Sequence, residues 1–187
     1  MTREGGNLLI TALTPAGAAL GSRLARTWPG SRLVLPPKLQ AGYPDAEPAA
    51  DLRDLFAVAF REKCPLVCIM AAGIVVRLLA PLIRHKAQDP PVLVVDEAGR
   101  FVISLLSGHL GGANNLARRV AALLGATPVI TTATDVHDLP AFDSLAAEHG
   151  WHLENLSAVK TIHAALLAGE SVLVLDEVGY LSRLLSP

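Results

Sequence analysis

The chain has 187 residues, of which 51% are hydrophobic and 18% are charged, so it carries enough apolar surface to close a core and is not intrinsically disordered. Its 16 basic and 17 acidic residues nearly cancel to a net charge of -1, and aromatic residues make up 4% of the chain. This balance excludes a broad electropositive surface and leaves few rings on which bases could stack, so nucleic acid is not an expected partner.

Apolar segments alternate with helical patterns from the first residues onward, which is typical of an α/β fold. Residues 8–13 predict a first strand, after which Thr14 caps a helix that has Pro15 at its first position. A second strand is predicted over residues 31–35, and the prolines between residues 36 and 48 predict a loop.

The same alternation continues through the middle of the chain. Asp51 opens a predicted helix, and residues 65–70 form a continuous apolar run, as buried parallel strands do. A further helix begins after Ala71 and breaks near Pro81. Two apolar runs around Gly99 then predict a β-hairpin, with strands at residues 92–95 and 101–105.

A helix over residues 113–124 ends at Gly125 and is followed by a strand over residues 127–130. These elements predict a three-layer sandwich around a mostly parallel sheet with a β-hairpin, forming one α/β domain over residues 1–135. Residues 136–187 predict a smaller α/β segment, with helices at 144–149 and 157–168 and a strand at 172–175.

One short pattern occurs twice. The residues Val-Leu-Val-Leu-Asp-Glu-Val-Gly-Tyr at 172–180 repeat most of Val-Leu-Val-Val-Asp-Glu-Ala-Gly-Arg at 92–100. Nine residues are too few to indicate a duplicated domain, so we interpret the repeat as reuse of the same turn chemistry.

Cysteine and histidine usage gives no metal signature. Cys64 and Cys68 lie four residues apart on one face of a strand and are interpreted as small buried hydrophobic residues, the alternative being a redox or metal role. No HExxH-type motif surrounds His149 and His152, so we expect the protein to bind no metal or cofactor of its own.

Export and membrane signals are also weak. The strongly apolar run that starts at Leu8 stops before Pro15, which is shorter than the about 7–15 residues of a secretion signal. The uncharged run over residues 64–76 is shorter than the about 20 residues that cross a bilayer. We therefore expect a cytoplasmic protein.

The sharpest candidate site is the glycine-rich segment Ser107-Gly108-His109-Leu110-Gly111-Gly112, which precedes a predicted helix. Glycines let the backbone approach a ligand, and a helix N-terminus offers N–H groups to an anion. The segment lacks a Walker A lysine and the GxGxxG spacing, so it favours a carboxylate or a developing oxyanion over a triphosphate. The alternative is a tight strand-to-helix turn that binds nothing.

His109 lies inside this segment. An imidazole titrates near neutral pH and can take a proton from water or give one to a leaving group. Ser107 and Asn114 flank it and can donate hydrogen bonds to a substrate. A purely structural histidine is the alternative.

Two further groups could meet a polar ligand. Thr131, Thr132 and Asp135 follow a predicted strand, where α/β sheets bind ligands, although capping of the next helix by Thr134 or Asp135 is an equally good explanation. Arg77 belongs to a basic group that would suit an acidic ligand or simply form a solvated helix face. The other members of that group are Arg84, His85 and Lys86.

Taken together, these segments resemble one family closely, the CbiG proteins of cobalamin biosynthesis, which are cobalt-precorrin-5A hydrolases. The resemblance is carried by AGIVVR at 72–77, APL at 80–82, Lys86, DP at 89–90, VVDE at 94–97 with Gly99, ISLLSGHLGGAN at 103–114 and VITTATD at 129–135. It implies the N-terminal part and the start of the middle part of that family, without its C-terminal domain.

The resemblance implies a hydrolase that opens the δ-lactone of a cobalt-bearing corrinoid precursor and releases acetaldehyde in the anaerobic route to vitamin B12. Cobalt would arrive inside the substrate. We hypothesise that His109 acts as general base and later acid, and that the Gly111 and Gly112 amides donate to the oxyanion. Ser107 and Asn114 would orient the lactone or water. The substrate contacts are assigned to Gly108, Gly111, Gly112, Asn114, Thr131, Thr132, Asp135 and Arg77.

Two other classes of function stay open. The chain could be a non-catalytic module that binds or carries the corrinoid precursor and acts with a separate C-terminal CbiG domain or a precorrin methyltransferase. It could also be a nucleotide-binding regulatory domain, which the missing P-loop lysine argues against.

Overall fold

The computed structural model describes residues 8–85 and 88–185. The chain divides into two compact units, Met1–Ile130 and Thr131–Pro187. No helix among the described residues is long and apolar enough to cross a membrane.

The first unit is built on a seven-stranded sheet with the order β3-β2-β1-β4-β5-β6-β7. Its strands are β1 (Leu9–Ala12), β2 (Arg32–Leu35), β3 (Glu47–Pro48), β4 (Leu66–Ile69), β5 (Val92–Val95), β6 (Phe101–Leu106) and β7 (Thr127–Val129). Every neighbouring pair is parallel except β5 and β6, which form the predicted hairpin. The mostly parallel α/β sheet is thus confirmed.

Helices cover both faces of this sheet, which confirms the three-layer arrangement. They are α1 (Pro15–Thr27), α2 (Pro37–Gln40), α3 (Leu52–Arg61), α4 (Ala72–Leu79) and α5 (Ala113–Leu124). On one face, Leu24 of α1 and Val120 of α5 pack with sheet residues such as Ile10. On the other, Phe56 of α3 and Val75 of α4 are fully buried.

The two predicted N-caps are present. The Thr14 hydroxyl accepts a hydrogen bond from the Gly17 N–H at 3.1 Å, and the Asp51 carboxylate accepts one from the Arg53 N–H at 2.7 Å. Each bond satisfies an amide of the first helical turn that has no intrahelical partner. These local signals therefore set where α1 and α3 begin.

The proline-rich segment over residues 36–48 is not the plain loop that was predicted. It contains the one-turn helix α2 and the two-residue strand β3. Pro37 tolerates a first helical position because its missing N–H is not needed there. Glu47 binds the Arg32 guanidinium with a Nε–Oε1 distance of 2.7 Å and so fastens β3 to the edge of the sheet.

The hairpin reverses the direction of the last two strands of the sheet. Val92 pairs with Leu106 and Val95 pairs with Val102, so the end of β6 lies beside the start of β5. Because β7 is parallel to β6, the carboxyl ends of both strands lie at the same edge of the sheet, meaning here an edge formed by strand ends. The carboxyl ends of β1, β2, β4 and β5 lie at the opposite edge.

The second unit contains α6 (Ala133–Val136), α7 (Phe142–His149), α8 (Leu156–Leu167) and α9 (Tyr180–Leu184). Within residues 131–185, which the structure describes, no strand is formed, so the prediction of a strand over residues 172–175 is wrong. A β-strand needs a neighbour for its backbone hydrogen bonds, and residues 172–175 have no backbone hydrogen bond in the described part of the chain.

Candidate active site

The glycine-rich segment over residues 107–112 joins β6 to α5, as expected, and is held to the sheet at its first residue. The Ser107 hydroxyl is buried and donates to the main-chain carbonyl of Asp89 at 2.8 Å. Ser107 also adopts φ of 61°, a left-handed conformation that a serine rarely takes. This hydrogen bond therefore holds the segment in a conformation that the backbone alone disfavours.

Glycine is required at position 111. A Cβ atom there would lie 2.3 Å from the Ser107 Cβ and 2.7 Å from the Ser107 carbonyl oxygen. Gly112 has φ of 82° and occupies the N-cap of α5. The segment is a tight turn in which the backbone folds back on its own first residue.

Several amides that could bind an anion are already used inside the turn. The N–H groups of Ala113 and Asn114 donate to the carbonyls of Ser107 and Gly108, both at 3.0 Å. The Gly112 N–H donates to the His109 carbonyl at 2.8 Å. For the Gly111 N–H, no backbone carbonyl acceptor occurs within residues 8–85 and 88–185. Of the two glycine amides expected to serve an oxyanion, Gly111 is therefore the better placed.

The Asn114 side chain connects β6 to α5. It is buried, and its Oδ1 accepts a hydrogen bond from the Ser104 hydroxyl at 2.7 Å. A Cβ atom at Gly108 would come within 3.0 Å of the same Oδ1, so the amide packs directly on the turn. Asn114 thus holds the turn from one side, as Ser107 does from the other.

His109 is half-buried at the middle of this turn. The turn therefore brings together the predicted residues Ser107, Gly108, His109, Gly111, Gly112 and Asn114. Sequence reasoning did not single out Asp89 and Ser104, which hold them in place. No local signal could have identified these two, because their hydrogen bonds join residues ten or more positions apart in the chain.

Arg77 is not brought to this turn. It is exposed, and its Nη1 donates to the Gly73 carbonyl at 2.8 Å, which places the guanidinium near the start of α4. That helix follows the carboxyl end of β4, whereas the 107–112 turn follows β6 at the opposite edge. A four-residue strand separates the two edges by roughly 10 Å or more. Lys86 of the same basic group lies outside the described residues.

Thr131, Thr132 and Asp135 stand at the start of the second unit. Thr132 is the N-cap of α6, and its hydroxyl donates to the Asp135 carboxylate at 2.6 Å. Thr131 is exposed, whereas Thr134 is buried. Thr132 makes no side-chain capping hydrogen bond, and Thr134 and Asp135, the predicted capping residues, lie inside α6. The capping alternative is therefore not confirmed.

A crevice of about 450 Å³ opens at the carboxyl ends of β1, β4 and β5, and sequence reasoning missed it. Strand β2 lies on one side of β1 and β4 on the other, so the topology switches direction here, as at many ligand sites of α/β sheets. The crevice is mainly apolar. Its lining includes Leu13, Thr14, Met70, Ile74, Ile103 and the acidic pair Asp96 and Glu97.

Asp96, at the rim of this crevice, is engaged in the β5–β6 turn. Its Oδ1 accepts hydrogen bonds from the N–H groups of Arg100 and Phe101 at 2.8 and 2.7 Å. Burial works to raise the pKa of this carboxyl, but these hydrogen bonds and the charge of Arg100 outweigh it, so the pKa lies below its usual value. Asp96 is therefore a structural carboxylate that stays ionised.

Two family profiles match the chain. "Cobalamin synthesis G N-terminal" matches residues 54–135, and "Cobalamin biosynthesis central region" matches residues 140–186. The first covers the sheet from α3 onward together with the 107–112 turn, and the second covers most of the second unit.

Curated relatives agree with these matches. The chain is 42% identical over 167 residues to the cobalt-precorrin-5A hydrolase of Salmonella typhimurium, which covers 89% of this chain and 47% of that protein. It is 35% identical over 178 residues to the cobalt-precorrin-5A hydrolase of Priestia megaterium, covering 93% of this chain and 48% of that protein. The chain thus spans about half the length of the curated relatives that it matches.

A solved structure shows the same fold. The crystal structure of a cobalamin biosynthesis protein G homologue from Sulfolobus solfataricus matches with a TM-score of 0.51 at 25% identity, over 93% of this chain and 52% of that one. The chain therefore belongs to the CbiG family of cobalamin-biosynthesis proteins, of which it carries the N-terminal and central regions.

Proposed function

We propose that this chain supplies the lactone-opening site of a cobalt-precorrin-5A hydrolase. The observation that carries the proposal is the turn over residues 107–112, which presents His109 in a backbone conformation fixed from both sides. The Salmonella and Priestia relatives, both cobalt-precorrin-5A hydrolases, support the substrate.

The chemistry asks for an activated water and a donor for the oxyanion. His109 takes a proton from water as the water oxygen bonds to the lactone carbonyl carbon, and the Gly111 N–H donates to the oxyanion that forms. When the intermediate collapses, the acyl C–O bond breaks and His109 returns the proton to the departing alkoxide. The freed alcohol then loses its O–H proton and the C–C bond that joins its carbon to the macrocycle breaks, so the two-carbon fragment leaves as acetaldehyde. The electron pair of that bond stays on the macrocycle, which takes up a proton.

Ser107 and Asn114 act on this reaction by positioning the turn. Their polar atoms already bind Asp89 and Ser104, so both side chains are committed to holding the backbone that carries His109. Thr131, Thr132 and Asp135 remain proposed substrate contacts, together with Gly108 and Gly112. We leave Arg77 out of this site because it lies at the opposite edge of the sheet.

Cobalt enters this proposal as part of the substrate, and we assign the protein no metal or cofactor of its own. We place the reaction in the cytoplasm. We also propose a partner, namely the polypeptide that corresponds to the half of the curated relatives not matched by this chain.

A second candidate is a corrinoid-binding module whose chemistry lies in that other half. Two measurements separate the candidates: a spectroscopic titration with cobalt-precorrin-5A, and an assay for acetaldehyde. We expect both binding and acetaldehyde release. Binding without acetaldehyde would favour the module, and the absence of both would contradict the proposal.

A further inference from the structure

The pattern that occurs twice in the sequence offers an internal comparison. At residues 92–100 it forms β5 and the following turn, in which the Gly99 N–H donates to the Asp96 carbonyl at 2.9 Å and Gly99 has φ of 66°. Strand β5 pairs with β4 on one side and β6 on the other. All four of its residues are buried.

At residues 172–180 the same turn forms. The Gly179 N–H donates to the Asp176 carbonyl at 3.1 Å, and Gly179 has φ of 68°. The Asp176 Oδ1 accepts from the same N–H at 3.0 Å. The local chemistry of the pattern is therefore satisfied in both places.

The segment before the second turn differs from β5. Leu173 and Leu175 are 84% and 88% exposed, whereas Val172 and Val174, which alternate with them along the chain, are half-buried. This alternation is that of a strand with one face turned to the protein. Its backbone makes no backbone hydrogen bond with any other described residue. An exposed apolar run with unpaired backbone is a site at which another chain adds a strand.

Charge argues against a second copy of this chain as the occupant. In an antiparallel pair of two such segments, Glu170 of one copy would lie next to Asp176 and Glu177 of the other at both ends. Like charges in such positions destabilise a strand pair. An apolar strand flanked by basic residues would instead be complementary to these acidic ends.

We propose that residues 172–178 form the docking edge for a β-strand of the polypeptide corresponding to the unmatched half of the curated relatives. These relatives are about twice as long as the matched region, so each contains an unmatched region of about the same length as this chain. The strand would cover Leu173, Leu175 and Val178, the last of which is 81% exposed. The proposal rests on the partner named in the proposed function and gives it a place to bind.

Amide hydrogen exchange tests this without any activity measurement. In this chain alone, residues 172–175 should exchange at nearly unprotected rates while residues 92–95 exchange slowly. In the intact Salmonella relative, the segment equivalent by alignment of the central region should be protected by on the order of a hundredfold or more. Equal lack of protection in the intact relative would overturn the proposal. So would protection in this chain alone, whether as a monomer or as a concentration-dependent dimer.

Substitution gives the matched control. In the intact relative, aspartate at the positions equivalent to Leu173 and Leu175 should remove the protection, because it places charge in the strand pair. Aspartate at the position equivalent to Leu123, an exposed leucine of α5, should leave it unchanged. If protection survives the first change, the docking edge is wrong. An unsubstituted intact relative that shows this protection but releases no acetaldehyde would count against the proposed function alone.

Discussion

At the scale of single residues, the candidate site depends on groups that hold a strained turn. Ser107 keeps its left-handed conformation because its hydroxyl binds a carbonyl that lies eighteen positions earlier in the chain. Sequence could predict that Gly108, Gly111 and Gly112 permit a close turn. It could not predict that Gly111 faces the Ser107 backbone, because that contact depends on where β6 and α5 meet.

Gly111→Ala should disrupt the turn. The added methyl group would sit 2.3 Å from the Ser107 Cβ and 2.7 Å from its carbonyl oxygen, and backbone atoms cannot move aside cheaply. We expect a loss of about 1–3 kcal/mol in the free energy of unfolding, measured by urea denaturation. Gly42→Ala is the control, since its methyl group would meet the Leu39 carbonyl oxygen at an ordinary 3.6 Å. Equal stability of the two variants would refute the close contact.

At the scale of elements, local signals predicted the helix starts and the hairpin, because caps and turns involve neighbours in sequence. Thr14 and Asp51 cap as expected, and Gly99 allows the turn. Residues 172–175 show the limit of such signals: the same apolar pattern as β5 forms no strand. Strand pairing depends on contacts between segments that are distant in the chain. An apolar alternating pattern therefore identifies a segment that can form a strand, and a neighbouring strand decides whether it does.

Asp96→Asn tests the turn of the β5–β6 hairpin through its pH dependence. The folded-state pKa of Asp96 lies below its usual value, so its carboxylate stabilises the fold above that usual value, about 3.9. This contribution is lost as the pH falls through the folded-state pKa. We expect the variant to have a lower melting temperature at pH 7 and the difference to shrink toward pH 2.

The matched control for this carboxylate is Asp45→Asn, at an exposed position in the 36–48 segment. It should shift the melting temperature less than Asp96→Asn does at pH 7. A difference between Asp96→Asn and the parent chain that is independent of pH would show that the charge of Asp96 is not what matters.

At the scale of the whole molecule, two edges of one sheet carry the two candidate ligand sites. The alternation of apolar segments with helical patterns predicted the strands, and the mostly parallel sheet follows from that alternation. Because β6 runs antiparallel to β5, the turn that carries His109 lies at the opposite edge of the sheet from the crevice lined by Met70 and Ile74. Arg77, grouped with the site from its charge alone, belongs to the crevice edge because its guanidinium folds back onto the start of α4.

The most direct test of the account is acetaldehyde release from cobalt-precorrin-5A by three variants, each checked first for binding of the corrinoid. His109→Gln should lower the rate by about 10²–10⁴-fold, the usual contribution of a general acid–base group. His152→Gln, at an exposed position, and Ile74→Glu, in the opposite crevice, should both keep the parent rate. An unchanged rate in His109→Gln, or a loss confined to Ile74→Glu, would contradict the assignment of the reaction to the glycine turn.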